Sequence, residues 1–198
     1  HASTAIIAAN FSPEHKMFGL LMEGEINAAQ QVLNNTQKPF TAIIGGAKVS
    51  DKILIIENLL EKATDIIIGG GMAYTFFKAK GGNIGNSLCE DDRMEMAVAL
   101  LEKATAKGVR IHLPEDSVIA DKFDAAANTD IADNTAIPEG WMGLDIGTKA
   151  SAAFGEVIRN SKTILWNGPM GVFEMEKFRA GTKAIADAVV AATEKGGF

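Results

Sequence analysis

The 198-residue sequence lacks the features that mark a secreted, disulfide-linked or membrane-spanning protein. Its one cysteine, Cys89, excludes an internal disulfide and a cysteine-based metal cluster, and we interpret it as a half-buried structural thiol. No apolar run approaches the roughly 18 residues of a membrane span, and no basic and apolar leader opens the sequence. We therefore expect a cytoplasmic protein with no membrane partner.

Positive charge and histidine are also scarce. The formal net charge is −6, whereas binding to duplex nucleic acid calls for a basic face, so no nucleic-acid partner is expected. The 3 histidines, His1, His15 and His112, lack the spacing of metal ligands. No Ser-His-Asp or Cys-His arrangement indicates a covalent nucleophile. We predict no metal ligands within this chain.

The sequence does contain an alternation of strand-like runs and helical periods. Strands are predicted at 41–44, 65–68, 109–113, 117–120 and 163–166. Several are unbroken runs of Ile, Val and Leu, which are typical of parallel strands covered on both faces. The predicted fold class is therefore α/β, with an open, mostly parallel sheet and helices on both faces in a Rossmann-like three-layer α/β/α arrangement.

Helical periods separate these strands. Apolar residues recur at three- and four-residue steps from Ile53, from Met94 and from Phe178. Another helical stretch, residues 16–34, precedes the first strand. The polar segment 128–139 interrupts the alternation, and we predict that it is a mobile loop.

Four glycine-bearing turns follow predicted strands or lie at a strand edge. Open α/β sheets bind ligands at the carboxyl ends of their strands, so these turns predict a crevice where the backbone approaches a ligand closely. Tight turns also need glycine where nothing binds, and that alternative stays open. The turns are GGAK (45–48), GGGM (69–72), GLDIG (143–147) and NGPMGVFE (167–174).

Lys48 and Lys52 follow the first turn, although it matches neither common phosphate-binding motif. GxxxxGK[ST] and GxGxxG are both absent, and the second absence argues against an NAD-dependent oxidoreductase. If a helix begins near Val49, with Ser50 or Asp51 as its cap, both lysines lie at its positive end and do not stabilise it. A bound phosphate would explain them, and two solvated surface lysines are the alternative.

Glu174 ends the last glycine turn. A carboxylate in a nucleotide-binding crevice typically accepts hydrogen bonds from ribose hydroxyls, as the acidic residue of dinucleotide-binding folds does. The alternative is that Glu174 caps or salt-bridges the helix that follows. The residues alone leave both interpretations open.

Five sequence blocks, taken in order, resemble the phosphoglycerate kinase family. The resemblance covers almost all of residues 1–198, and one departure is Thr148, where the family usually has proline. The blocks are FTAIIGGAKVSDK (40–52), IIGGGMA (67–73), LPED with ADKF (113–116 and 120–123), GWMGLDIG (140–147) and WNGPMGVFE (166–174).

The resemblance implies a glycolytic enzyme that transfers the acyl phosphate of 1,3-bisphosphoglycerate to ADP, giving 3-phosphoglycerate and ATP with Mg²⁺. By motif, Lys48 would be catalytic and neutralise the phosphoryl group in transfer, while Lys52 would hold the nucleotide phosphates. The other implied nucleotide-binding residues are Gly46 in the first turn; Gly70, Gly71, Gly143, Leu144 and Pro169 at the adenine; Asn167 and Gly168 near the phosphates; and Val172 and Glu174 at the sugar.

The resemblance also divides the chain. Residues 1–15 resemble the tail of an N-terminal domain that binds phosphoglycerate, 16–37 an interdomain helix, and 38–198 a nucleotide-binding domain without its last strand and final helices. The family's metal-contacting aspartate is expected downstream of Phe198. We therefore expect this chain to be inactive by itself. Complete members of the family are typically monomeric enzymes. A nucleotide-binding module without catalysis is the alternative, and an open sheet edge would also allow chains to pair.

Overall fold

The computed structural model describes residues 6–198, without the side chain of Leu33. It consists of two compact units, His1–Asn35 and Thr36–Phe198. The division therefore falls after Asn35, whereas the sequence-based division falls after residue 37. Residues 1–5 of the predicted N-terminal tail lie outside the described part.

One α-helix is the longest element described in the first unit. Helix α1 spans Leu20–Asn34, and two 3-10 turns, Ile7–Asn10 and Pro13–His15, precede it. The helical stretch predicted from residue 16 begins only at Leu20, because the backbone of Gly19 is extended.

The second unit alternates strands and helices along the chain. In order, its elements are β1 (Phe40–Ile44), α2 (Ile53–Leu59), β2 (Asp65–Ile68), α3 (Ala73–Ala79), β3 (Asn83–Ile84), α4 (Met94–Ala106), β4 (Arg110–His112), β5 (Asp116–Ala120), β6 (Thr129–Asp133), β7 (Ala136–Ile137), β8 (Met142–Ile146), α5 (Thr148–Arg159), β9 (Thr163–Asn167) and α6 (Ala180–Glu194).

Four of these strands form a parallel sheet, which confirms the predicted core of the fold. They lie in the order β4-β2-β1-β9. Ile44, the last residue of β1, pairs with both Ile68 and Asn167, the last residues of β2 and β9. The three strands therefore end level with one another, so the turns that follow them lie side by side.

Both faces of this sheet are buried. Ile43 and Ile67 pack on one face with Phe154 of α5 and Ile185 of α6. Alternate side chains of a strand point to opposite faces. Those of the other face are also fully buried: Ala42, Ile44, Ile66 and Ile68. Burial on both faces explains why these strands read as unbroken apolar runs.

A separate antiparallel sheet was not predicted. Its order is β6-β5-β8, so the strand predicted at 117–120 belongs to it and not to the parallel sheet. Residues 143–147, the third predicted glycine turn, begin inside β8. Three of the four glycine turns therefore lie at the edge of the parallel sheet, and the fourth comes from the neighbouring sheet.

The prediction of a loop at 128–139 was wrong. This segment forms β6, which pairs with β5, and β7, which pairs with β3. Strand β6 lies at the edge of its sheet and four of its five residues are exposed. An exposed edge strand carries polar residues, so its sequence lacks the apolar run that identifies a buried strand.

Two buried aspartates of the antiparallel sheet cap helices α5 and α6. Neither helix has a side-chain cap from its own N-cap residue. Asp116 on β5 accepts hydrogen bonds from the backbone N–H groups of Lys149 (3.2 Å) and Ala150 (2.8 Å). Asp145 on β8 accepts one from the N–H of Gly181 (2.7 Å). Both carboxylates thus satisfy N–H groups that a helix start leaves free.

Replacement of Thr148 by proline should stabilise the chain. Thr148 is the first residue of α5, and in the part of the chain that the structure describes its backbone N–H donates no hydrogen bond. Gly147 before it is extended, with φ −80° and ψ −177°, as a residue before proline requires. We expect T148P to raise the free energy of unfolding by about 0.4–1 kcal/mol, because proline restricts the unfolded chain. Denaturant titration of both proteins measures the change.

Lys149→Pro is the matched control, one residue further along the helix. The N–H of Lys149 donates to Asp116, so proline there removes a capping hydrogen bond and should lower stability. A loss of stability in both variants would contradict a proline-compatible helix start at residue 148.

Candidate functional site

The candidate site lies where β1, β2 and β9 end. The glycine turns that follow these strands hydrogen-bond to one another through their backbones. The N–H of Gly45 donates to the carbonyl oxygen of Asn167 (2.9 Å), and that of Gly70 donates to the carbonyl oxygen of Met170 (3.1 Å). The three turns thus form one connected surface at the carboxyl edge of the sheet, where open α/β sheets bind ligands.

The turns after β1 and β9 approach each other too closely for side chains to fit between them. A Cβ atom on Gly45 would lie 2.0 Å from the carbonyl oxygen of Pro169, and one on Gly168 would lie 2.4 Å from the carbonyl oxygen of Gly45. Gly168 also has a φ of +91°, which residues with a side chain rarely adopt. The fold itself therefore requires these two glycines, and their presence alone is no evidence for a ligand.

A cavity of about 460 Å³ opens beside the turns. Eight of the predicted nucleotide-binding residues line it: Gly46, Gly70, Gly71, Gly143, Leu144, Pro169, Val172 and Glu174. The structure thus brings together residues from four separate glycine-bearing segments of the sequence. Their role in binding a ligand stays a prediction.

Several side chains around the cavity were missed by the sequence analysis. They are Tyr74, Asn86, Leu88, Phe123, Met142 and Met170. Phe123, Met142 and Met170 belong to the sequence blocks that resemble the family, so that signal was available. Asn86 and Leu88 belong to none of them, and only the path of the chain between β3 and α4 brings them to the cavity.

The cavity walls are mainly apolar. Leu88, Leu144 and Val172 contribute aliphatic side chains. The hydroxyl of Tyr74 is hydrogen-bonded to the Oγ of Ser117 (2.7 Å) within the protein. Burial raises the pKa of Tyr74, so this hydroxyl stays protonated at neutral pH. A concave, largely apolar cavity with few polar groups suits a flat ring system.

Gly143 brings the backbone of β8 up to the cavity. A Cβ atom there would lie 1.8 Å from the hydroxyl oxygen of Tyr74, so no larger residue fits without moving that ring. The N–H of Gly143 donates to the buried Oγ of Ser87 (2.9 Å). Two buried side chains therefore hold this part of the wall in place.

The remaining four predicted residues, Lys48, Lys52, Asn167 and Gly168, do not line the cavity. The Nζ of Lys52 donates to the Oδ1 of Asn167 (2.5 Å), so these two predicted phosphate-binding side chains are adjacent. Lys48 is exposed, and within residues 6–198 its side chain makes no hydrogen bond or ion pair. Its ammonium group is available to an anion.

The predicted start of the helix near Val49 was wrong. Helix α2 begins at Ile53 and is only seven residues long, so Lys48 lies in the loop before it and Lys52 is its N-cap. The carbonyl oxygen of Val49 accepts hydrogen bonds from Lys52 and Ile53 in a turn that precedes the helix. Ser50 does not cap the helix, because its side chain binds Glu90 instead.

Glu174 is exposed at the cavity. Its carboxylate makes no hydrogen bond or ion pair with any other residue in the described part of the chain. The 3-10 turn Glu176–Phe178 has no side-chain cap, and the cap of helix α6 is Asp145 rather than Glu174. The alternative role for Glu174, as a cap or salt-bridge partner of the next helix, is therefore not realised.

The described residues do not form a protein-only metal site. Among residues 6–198, no group of three or more His, Cys, Asp or Glu side chains could hold a metal ion. Mg²⁺ prefers carboxylate oxygens, and Glu174 is the one carboxylate in the cavity lining. The cationic residues Lys48 and Lys52 lie in the loop before helix α2 and at its N-cap. None of the described helices is long and apolar enough to span a bilayer.

Asp145 is a buried carboxyl group behind the cavity wall, next to Leu144. Its Oδ1 accepts a hydrogen bond from the N–H of Ile146 (2.9 Å), and its Oδ2 accepts one from Gly181. Burial raises the pKa of Asp145 to about 6, because these hydrogen bonds offset the loss of solvation only in part.

Comparison with known proteins identifies the family. The family model described as phosphoglycerate kinase matches residues 1–198. The chain belongs to the phosphoglycerate kinase family. The phosphoglycerate kinase of Porphyromonas gingivalis is 53% identical over 198 residues, which are 100% of this chain and 47% of that protein. The cytosolic phosphoglycerate kinase of Nicotiana tabacum is 50% identical over 196 residues, 99% of this chain and 48% of that protein.

Solved structures of phosphoglycerate kinases share the fold. The enzyme from Coxiella burnetii superposes with a TM-score of 0.84 at 42% identity, over 88% of this chain and 45% of that one. The enzyme from Pyrococcus horikoshii OT3 superposes with a TM-score of 0.73 at 27% identity, over 91% of this chain and 49% of that one. The chain thus spans about half the length of the phosphoglycerate kinases that it matches.

Asp145 should make the stability of the chain depend on pH. Its pKa is about 6 in the folded state and about 4 in an unfolded chain, so the folded state holds the proton more tightly. The stabilisation from that proton is complete below about pH 4 and is lost as the pH rises through 6. We expect a loss on the order of 3 kcal/mol between pH 4 and 7, measured as the free energy of unfolding.

Asp145→Asn is the control, because it cannot ionise while all other carboxyl groups remain. Subtracting its pH profile from that of the original chain isolates the contribution of Asp145. Identical profiles, or a carboxyl NMR titration of Asp145 with a midpoint near 4, would contradict the prediction.

Proposed function

We propose that this chain is the nucleotide-binding part of a phosphoglycerate kinase. The enzyme would transfer the acyl phosphate of 1,3-bisphosphoglycerate to ADP, giving 3-phosphoglycerate and ATP. One observation carries the proposal. An apolar, glycine-walled cavity of about 460 Å³ lies at the carboxyl edge of the sheet, and its walls contain eight of the residues that the family motifs assign to the nucleotide.

The cavity and its surroundings provide a separate environment for each part of ADP. The adenine ring would lie against Leu144 and Pro169, where apolar side chains and bare glycine backbone match a flat base, and Val172 would lie by the sugar. The ribose hydroxyls would donate hydrogen bonds to Glu174, whose carboxylate has no partner in the described part of the chain. The phosphates would extend toward Lys52 and Asn167, which already contact one another.

Lys48 would act on the phosphoryl group during transfer. Phosphoryl transfer proceeds through a loose transition state whose charge is spread over the equatorial oxygens, so alignment and cations provide most of the catalysis. An exposed lysine without a hydrogen-bonding partner is suited to this task, because no internal contact has to be broken first. No covalent intermediate with a side chain is needed.

The other requirements of the reaction would be met outside this chain. The phosphoglycerate would bind to an N-terminal domain, whose tail and connecting helix are residues 1–15 and 16–37, while 38–198 form the nucleotide domain. Mg²⁺ would be held by the nucleotide phosphates and by an aspartate downstream of Phe198. By analogy with cytosolic relatives such as that of Nicotiana tabacum, the protein would act in the cytoplasm, and the complete enzyme would be a monomer.

Calorimetric titration with ADP and ATP, with and without Mg²⁺, tests the proposal. We expect the chain to bind both nucleotides, with little dependence on Mg²⁺, because the described residues form no metal-ligand set.

Lys52→Ala should weaken binding about tenfold or more, since it removes a charge-assisted contact to phosphate. Lys48→Ala should weaken it much less. Lys183→Ala, which removes an exposed lysine paired with Asp187 on α6, is the control for loss of charge.

Turnover measurements on an enzyme that contains both domains distinguish the roles of Lys48 and Lys52 further. There Lys48→Ala should lower kcat by about 100-fold, the effect of losing one electrostatic stabiliser of a transition state, with a much smaller change in nucleotide affinity. Equal effects on both quantities would contradict the role of Lys48. Turnover by the present chain alone would contradict the division of the site between two domains. Failure of the chain to bind either nucleotide would overturn the proposed function.

A further inference from the structure

The loop that carries Lys48 is fixed at both ends, while Lys48 itself is exposed. At the start of the loop, the carbonyl oxygen of Gly46 accepts a hydrogen bond from the N–H of Met72 (3.1 Å), in the turn after β2. Val49, next to Lys48, is fully buried. Lys48 thus lies between a backbone contact at Gly46 and the buried Val49, and Ser50 forms the far end of the loop.

Glu90 holds that far end. Its Oε2 accepts a hydrogen bond from the backbone N–H of Ser50 (3.0 Å), and its Oε1 accepts one from the Ser50 hydroxyl (2.6 Å). Burial alone would raise the pKa of the Glu90 carboxyl, but the bonds from Ser50 and Val49 and the charge of Lys48 together lower it. Glu90 therefore stays ionised at neutral pH, and its hydrogen bonds are of the stronger, charge-assisted kind.

Glu90 is in turn attached to the protein interior and to the cavity wall. Its backbone N–H donates to the Oγ1 of Thr75 (3.1 Å), a buried residue of α3. Leu88, two residues earlier, lines the cavity. One short segment thus contributes to the wall of the cavity and also anchors the loop that carries Lys48.

We propose that Glu90 is a positioning residue for the transfer reaction, which holds the loop 46–50 so that Lys48 stays beside the phosphate end of the cavity. The inference rests on the proposed function of the cavity. Glu90 does not touch the nucleotide in this scheme. It acts through its two hydrogen bonds to Ser50.

The test compares Glu90→Ala and Glu90→Gln in the complete 198-residue chain and in an enzyme that contains both domains. Glu90→Ala removes both acceptors, so we expect the amide hydrogen of Ser50 to exchange about 10-fold faster in the chain. In the two-domain enzyme we expect kcat to fall about 10-fold, with a much smaller change in ADP affinity, because the loop then holds Lys48 less well. Glu90→Gln keeps one side-chain oxygen for Ser50 and should restore most of both losses. Ser50→Ala, which keeps the backbone bond and loses only the hydroxyl, should fall between the original chain and Glu90→Ala.

Asp92→Ala is the matched control, since Asp92 is an exposed carboxylate nearby whose ion-pair partner is Arg93. It should change neither the exchange of Ser50 nor the kcat of the two-domain enzyme. Thermal unfolding measures any loss of stability in each variant separately. If Glu90→Ala does not fold, the comparison uses Glu90→Gln and Ser50→Ala instead. Unchanged exchange at Ser50 in the folded Glu90 and Ser50 variants would overturn the inference.

The inference and the proposed function can fail separately. If the original chain binds no ADP, the proposed function fails, and the exchange of Ser50 still reports whether Glu90 anchors the loop. If the original chain binds ADP and the folded Glu90→Ala enzyme keeps its full kcat, only the positioning role is overturned. A lower kcat in Glu90→Ala with recovery in Glu90→Gln, in a chain that binds ADP, supports both.

Discussion

Close backbone contact between glycine turns is the constraint on which the whole site depends. The parallel strands end level, so their turns must pass one another within a few ångströms, and Gly45 and Gly168 leave no room for side chains between them. This contact joins the turns beside the cavity through their backbones, with no side chain between them. A ligand at this edge would therefore meet a surface whose shape is set by the sheet itself.

The polar groups around the cavity are held by partners that are distant in the sequence. Asp116 and Asp145 cap helices α5 and α6 from neighbouring strands, and Glu90 anchors the loop before α2. Such contacts join segments that would otherwise be positioned only by apolar packing, which is less directional than hydrogen bonding. Lys48 is the contrasting case, because it is exposed on an anchored loop. This combination suits a group that has to meet a charge arriving from outside the chain.

The comparisons and the geometry support the same interpretation by independent routes. The family model covers the whole chain, and eight of the twelve residues predicted from the sequence motifs line one cavity although they lie in four separate segments. The chain spans about half the length of the phosphoglycerate kinases that it matches.

The sequence by itself indicated the parallel core, since runs such as Ile66-Ile67-Ile68 are typical of strands buried on both faces, and it marked the glycine turns and the family. Only the tertiary structure decided the antiparallel sheet, whose polar edge strand Thr129–Asp133 resembles a loop in sequence. The same holds for the contacts of Lys52 with Asn167 and of Ser50 with Glu90. A hydrogen bond between residues far apart in the chain depends on the path of the backbone between them, and no local pattern of residue types encodes that path.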